Sequence, residues 1–171
     1  MNLYDKLDDA IMPGVNAGVR AWNWTTGGTK ADFANTLTFF SLGGAGTGII
    51  FSEASVSLPN AFFGALLYTA IPAFIYDNNQ REGKELRAFY NMRKDVSVES
   101  EKGFSKTIGH VGLASSTLAI PFGYSKDKLL HTIGGIALLG QSLSFYVMAA
   151  DPIFPRKNCI SRGIEYLINK K

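Results

Sequence analysis

The chain has 171 residues, 46% of them hydrophobic and 18% charged, which is the length of a single domain. Its formal net charge of +3 is small, and acidic residues lie among the basic ones, so the composition does not indicate nucleic-acid binding. The single cysteine, Cys159, excludes a disulfide within the chain and fits a reducing compartment.

The charged residues are distributed unevenly along the chain. Four stretches contain no Asp, Glu, Lys or Arg, namely residues 33–52, 54–76, 107–125 and 129–150. A helix of a soluble protein carries charges on its outer face, whereas a bilayer core needs about 20 mostly apolar residues per helix. The pattern therefore predicts an all-α integral membrane protein. Its four predicted transmembrane helices are Phe33–Phe51, Ser57–Tyr76, Phe104–Phe122 and Leu129–Ala150.

Basic residues favour four crossings over two. With four spans, every Lys and Arg except Lys126 and Lys128 falls on the side that holds both termini and the central loop. If only the second and fourth stretches crossed, the basic residues would divide almost evenly between the two sides. Cytoplasmic loops carry the excess of Lys and Arg. We therefore expect both termini on the cytoplasmic side of a plasma-membrane or inner-membrane type of bilayer.

The spans divide the chain into two hairpins and three flanking segments. Amphipathic patterns in the flanks predict helices that lie in the membrane interface at the amino terminus, in the central loop and at the carboxyl terminus. In the central loop, Asn79 followed by Glu82 predicts the start of a short helix. The predicted segments are 1–32 (amino-terminal), 33–76 (first hairpin), 77–103 (inner loop), 104–150 (second hairpin) and 151–171 (tail).

The two hairpins resemble each other. A shift of 71 residues aligns them without a gap and matches, for example, Phe33 with Phe104 and Phe74 with Phe145. The alignment indicates a parallel internal repeat, whose halves would be related by an axis along the membrane normal. The alternative is that two glycine-rich hairpins match because their compositions are alike.

Small residues predict where the helices pack, because lipid provides no hydrophobic drive for helix association. We select Gly44, Gly48, Gly112 and Gly140 as packing positions, the first two in a GxxxG spacing. Such faces serve either the bundle itself or contacts with a second copy or another membrane protein.

Few residues in the sequence are candidates for catalysis or ligand binding. His110 lies within the third predicted span, and an ionisable residue there is a candidate for function, including ligation of a haem or pigment. Asn60, Gln141 and His110 are candidates for a polar path. No catalytic motif and no cluster of metal-ligand spacing occurs in the sequence, so we assign neither catalytic residues nor a metal site.

These observations leave three hypotheses for function. The first is a non-enzymatic accessory or scaffold subunit of a membrane complex, with the bilayer and other membrane proteins or further copies as partners. The second is an oligomeric channel or transporter for a small neutral solute. The third is a subunit that binds a pigment or haem through His110.

Topology mapping tests the four-span prediction. In a Cys159→Ser background, single cysteines at Ser55 and Lys126 should react with a membrane-impermeant maleimide from the outer side, whereas one at Lys94 should react only after permeabilisation. Finding position 55 or 126 on the same side as position 94 would contradict four crossings.

Overall fold

A computed structural model describes residues 3–50, 58–91, 96–122 and 128–169 of the protein. Their regular structure is entirely helical, which confirms the predicted all-α class over this part of the chain. The α-helices are α1 (Leu3–Thr26), α2 (Lys30–Thr38), α3 (Gly44–Ile50), α4 (Leu58–Tyr90), α5 (Val96–Phe122), α6 (Lys128–Ala149) and α7 (Cys159–Asn169), and a π-helical turn, Phe39–Gly43, joins α2 to α3.

Two helices in the described residues are long and apolar enough to cross a membrane. They are α4 and the Thr132–Ala149 part of α6, with mean hydropathies of 1.5 and 1.4 over their most apolar 18 residues. These helices contain most of the second and fourth predicted spans. Membrane association is therefore supported by length and composition in two places.

The predicted helix start at Asn79 is wrong. Helix α4 continues without a break from Leu58 through Tyr90, so Asn79 lies inside it and its side-chain oxygen accepts a hydrogen bond from Asn35 at 3.0 Å. The segment after Tyr76 is rich in Gln, Arg, Glu, Lys and Leu, which prolong a helix readily. Tertiary partners for its charged residues, described below, explain why it stays attached to the bundle.

Helices α2 and α3 run antiparallel to α4. Asn35 near the start of this pair contacts Asn78, whereas Gly46 near its end contacts Gly64. At the second contact the backbones approach so closely that a methyl group at Gly64 would lie 2.8 Å from the carbonyl oxygen of Gly46. Only glycine at both positions permits this approach.

Helix α6 packs against both α2–α3 and α5, and runs antiparallel to each. The Thr38 and Ser144 hydroxyls lie 3.0 Å apart in the buried α2–α6 contact, and Ser144 donates to the Ala34 carbonyl. On its other side, Ser142 of α6 lies against Gly112 of α5. The four long segments therefore form an up-and-down bundle.

The predicted packing glycines differ in their surroundings. Gly48 lies against Ile133, Gly112 against Ser142 and Gly140 against Ser41. Gly44 is exposed, with no atom within 4 Å of the place a Cβ would occupy. The close contact of this glycine-rich segment is made at Gly46, because the π-helical turn before Gly44 shifts which residues face α4.

Helix α1 lies against the bundle near the end that contains the carboxyl terminus of α6. Val19 is fully buried there in a small core with Ala31, Ala34 and Met148. The Asn23 amide donates to the carbonyls of Gly28 at 2.8 Å and Phe154 at 2.9 Å, which fixes the end of α1 to the segment after α6. Helix α7 contacts α1 through Arg162, which donates to the Trp24 carbonyl at 2.7 Å. The apolar stripe of α7 is exposed.

The glycine contact predicts a difference between two matched substitutions. Gly64→Ala should lower the free energy of unfolding by about 1–3 kcal/mol, because the added methyl group overpacks the backbone contact with Gly46. Gly44→Ala meets open space and should be neutral or stabilising by up to about 1 kcal/mol through helix propensity. Thermal unfolding of both variants in detergent micelles measures this, and equal effects would contradict the packing described.

Candidate functional site

The most buried charge in the described residues is the ammonium group of Lys30, at the start of α2. It donates to two carbonyl oxygens at the end of α6, those of Met148 at 3.1 Å and Ala150 at 2.9 Å, and forms an ion pair with Glu85 of α4. Burial lowers the pKa of Lys30 below its ordinary value, and the Glu85 carboxylate opposes that shift. The carbonyls at a helix end favour a cation, so α6 also stabilises the charge.

Glu85 joins three helices at this point. One carboxylate oxygen pairs with Lys30 of α2, and the other lies 2.7 Å from the ammonium of Lys102 on α5. Glu85 itself is buried. A carboxylate between two ammonium groups attracts both, and such pairing is the condition for keeping a charge away from water.

Glu82, one turn earlier on α4, satisfies the amino-terminal end of α2. Its carboxylate accepts hydrogen bonds from the Thr29 hydroxyl at 2.7 Å and the Ala31 backbone N–H at 3.2 Å. Thr29 and Asp32 form a capping box at the same helix end. Burial raises the pKa of the Glu82 carboxyl above its ordinary value, and these two hydrogen bonds and Lys30 oppose the shift.

Further ion pairs surround this buried centre. Arg81 pairs with Asp77 at 2.8 Å and donates to the Ser105 hydroxyl of α5, also at 2.8 Å. Lys84 pairs with Glu101 of α5 at 2.9 Å and is half-exposed. A cavity of only about 10 Å³ lies among these side chains, with room for about one water molecule. Ion pairs therefore hold the part of α4 after Tyr76 against α5.

A second cluster lies one turn further along α5. The ammonium of Lys106 lies 2.9 Å from one oxygen of Asp8 on α1, and Nε2 of His110 lies 3.4 Å from the other. The rings of Tyr4 and Tyr146 meet the His110 ring edge to face, with centroids 5.6 and 5.4 Å away. Within the described residues, neither ring nitrogen of His110 has a hydrogen-bond partner.

The arrangement around His110 bears on the haem hypothesis. Its Nε2 faces the Asp8 carboxylate, and the imidazole is almost completely buried between tyrosine rings. An iron ligand needs an open approach to one ring nitrogen, and at Nε2 a charged partner stands in that place. The geometry favours a histidine–carboxylate contact that fixes α1 to α5.

The residues predicted to form a polar path lie at different depths. Gly140, the residue before Gln141, packs against Ser41, so Gln141 lies at the level of Ser41. Ile50 contacts Gly64, one turn after Asn60, so Asn60 lies near the level of Ile50. The nine residues from Ser41 to Ile50 correspond to about 14 Å along the helix. The two side chains are therefore far apart along the bundle axis.

His110 lies on the other side of Gln141. It contacts Tyr146, five residues beyond Gln141 on α6, which corresponds to about 7 Å toward the charged end of the bundle. The structure places Gln141 beside α5 in a groove also lined by Val111 and Ser115. It thus brings Gln141 and His110 to the same helix pair but leaves Asn60 apart from them.

Sequence reasoning missed Lys30, Glu82 and Glu85. Each stands in a charged stretch that resembles a solvated flank, and charged residues are usually exposed. One usable signal was present in α5, where Lys102, Lys106 and His110 follow at intervals of four and so share one side of a helix. In the structure this row meets carboxylates of α4 and α1.

The chemistry of both clusters is that of mutual neutralisation. Glu85 and Asp8 are each paired with at least one cation. Within the part of the chain described, no group of three or more His, Cys, Asp or Glu residues could hold a metal ion. No protein-family model, curated protein or solved structure matches this chain.

Removing the Lys30 charge should lower the stability of the fold. Lys30→Met leaves Glu85 without one of its two cations and should lower the free energy of unfolding by about 3–5 kcal/mol. The double variant Lys30→Met/Glu85→Gln should recover part of this loss, because position 85 then no longer carries a buried carboxylate that has lost a cation. Denaturant unfolding in micelles measures both values.

The matched control is Lys157→Met, which removes the lysine of an exposed ion pair with Glu165. It should cost less than about 1 kcal/mol. Similar losses for Lys30→Met and Lys157→Met would show that the buried pair contributes no more than a surface pair.

Proposed function

We propose that the chain is a four-span membrane protein with a structural role, as a non-enzymatic accessory or scaffold subunit of a membrane complex. The observation that carries this proposal is the buried network around Lys30. Its charges are used to join α2, α4, α5 and α6, so Lys30, Glu85 and Lys102 stabilise a rigid frame.

Helix lengths support the two additional crossings. The run from Phe33 to Ile50 continues through the π-helical turn without interruption and extends about 27 Å, close to the thickness of a bilayer core. Helix α5 is longer still, with 27 residues. The charged clusters gather at the end of the bundle where the carboxyl terminus of α6 lies, which agrees with one basic, cytoplasmic side.

One ring contact supports the internal repeat. Phe74 and Phe145, which the 71-residue shift makes equivalent, contact each other edge to face with ring centroids 6.1 Å apart. Residues that lie on a pseudo-twofold axis contact their own equivalents. This contact therefore agrees with an axis that passes between α4 and α6.

The exposed surface of α4 supports a scaffold role. Only 11% of its most apolar 18 residues are buried within the chain. Leu58, Phe62, Phe63 and Leu66 are exposed on it, so a full helix face is open to another membrane helix. The polar-path residues lie at separate depths, which gives the channel hypothesis less support.

Site-specific photo-cross-linking in native membranes tests the scaffold proposal. Probes should replace Phe63 on α4 and, as a control of equal exposure, Ile136 on α6, which are 58% and 57% exposed. We expect a discrete protein adduct from position 63, either another membrane protein or a second copy, and only lipid adducts from position 136.

Two results would contradict the proposal. One is that neither position 63 nor position 136 gives a discrete protein adduct. The other is a flux of small neutral solutes through liposomes containing the purified chain that is lost in Gln141→Leu, which would favour a channel.

A further inference from the structure

An apolar groove of about 210 Å³ lies between α1 and the bundle. Its walls are Val15 of α1, Phe33 and Leu37 of α2, and Leu143 and Val147 of α6. A space of this size at a helix junction is unusual, because close packing normally fills such positions with side chains.

Two glycines of α1 keep the groove open. Gly14 and Gly18 line it, and a Cβ at Gly14 would have no atom within 4 Å, whereas one at Gly18 would only touch Phe33 at 3.8 Å. Polar and apolar contacts hold α1 on both sides of this gap, at Asp8 through Lys106 and at Val19 in the core. Helix α1 is therefore fixed at two points and stands away from the bundle between them.

The groove opens toward the apolar exterior of the bundle. Leu7 lies on the same side of α1 as the two glycines and is partly exposed. Further along the two walls, Phe40 after α2 and Ile136 of α6 are exposed, and Leu143 itself is partly exposed. In a membrane these surfaces face hydrocarbon, so the groove is continuous with the layer of acyl chains.

We propose that this groove binds one acyl chain of a membrane phospholipid, inserted beneath α1 between α2 and α6. The proposal rests on the membrane location argued above. An unbranched aliphatic chain is the occupant that the surrounding bilayer supplies, and the lining of the groove offers it apolar contacts throughout. The bound chain acts as a filler that completes the packing of α1.

Tryptophan fluorescence gives a direct readout. Trp22 stacks on Phe33, a wall of the groove, with ring centroids 5.1 Å apart, so a brominated acyl chain in the groove should quench it. The Trp24→Phe background leaves Trp22 as the only tryptophan. Phosphatidylcholine with brominated acyl chains, added to the detergent-solubilised full chain, should quench saturably at one lipid per chain.

Filling the groove should abolish this binding. Gly14→Leu should weaken the lipid affinity by at least about tenfold without lowering the unfolding temperature, since the new side chain meets open space and leucine favours a helix more than glycine does. Gly14→Ala should have a smaller effect. Gly163→Leu, the same change at an exposed site on α7, should leave quenching unchanged.

The outcomes separate the groove from the membrane assignment. Linear, unsaturable quenching, or equal quenching in Gly14→Leu, would overturn the groove proposal while the topology map still showed four spans. Tighter quenching by a brominated free fatty acid than by the phospholipid would assign the site to a different ligand. Failure of the chain to insert into membranes would remove the proposed function as well.

Discussion

The fold depends on the burial of one ammonium group, that of Lys30, at the charged end of the bundle. An ammonium removed from water without partners is costly enough to unfold a small protein, so its position is tolerated only where partners converge. For Lys30 the partners come from two other segments, namely Glu85 on α4 and the carbonyls that end α6. Glu85 also pairs with Lys102, which adds α5 to the network. A shift of any one helix by a residue would separate a charge from its partner. The network therefore selects the relative positions of the helices at this end of the bundle.

Further from the charged end, close contacts between small residues continue the same alignment. Gly140 against Ser41, and then Gly46 against Gly64, bring backbones together where a methyl group would collide. Dispersion between closely packed backbones and side chains holds membrane helices together, because lipid competes equally for apolar surface. Charge sets the helix alignment at one end, and glycine contacts maintain it toward the other. Both kinds of contact are required, since neither an ion pair nor a glycine contact alone defines the alignment of four helices.

The all-helical class and the apolar parts of α4 and α6 could be predicted from the sequence, because an uninterrupted apolar stretch is a local property. The continuation of α4 through Tyr90 could not be predicted, because Asn79–Glu82 has the sequence of a helix start. Only the three-dimensional structure shows that Glu82 caps α2, by accepting hydrogen bonds from Thr29 and Ala31. Likewise, Lys30 and Glu85 lie 55 positions apart, and nothing local distinguishes a buried lysine from a solvated one. Gly44 and Gly46 illustrate the same limit, because the π-helical turn between α2 and α3 decides which of them faces α4.

The use of ionisable groups for structure has a consequence for function. A charge that joins two helices cannot be protonated, reduced in charge or displaced by a ligand without weakening the frame that positions it. A function that leaves this frame intact uses surfaces outside the two charged clusters. Two such surfaces stand out, the exposed apolar face of α4 and the groove under α1. Both are apolar and both adjoin rigid helices, so both suit binding to lipid or to another helix far better than chemistry on a polar substrate.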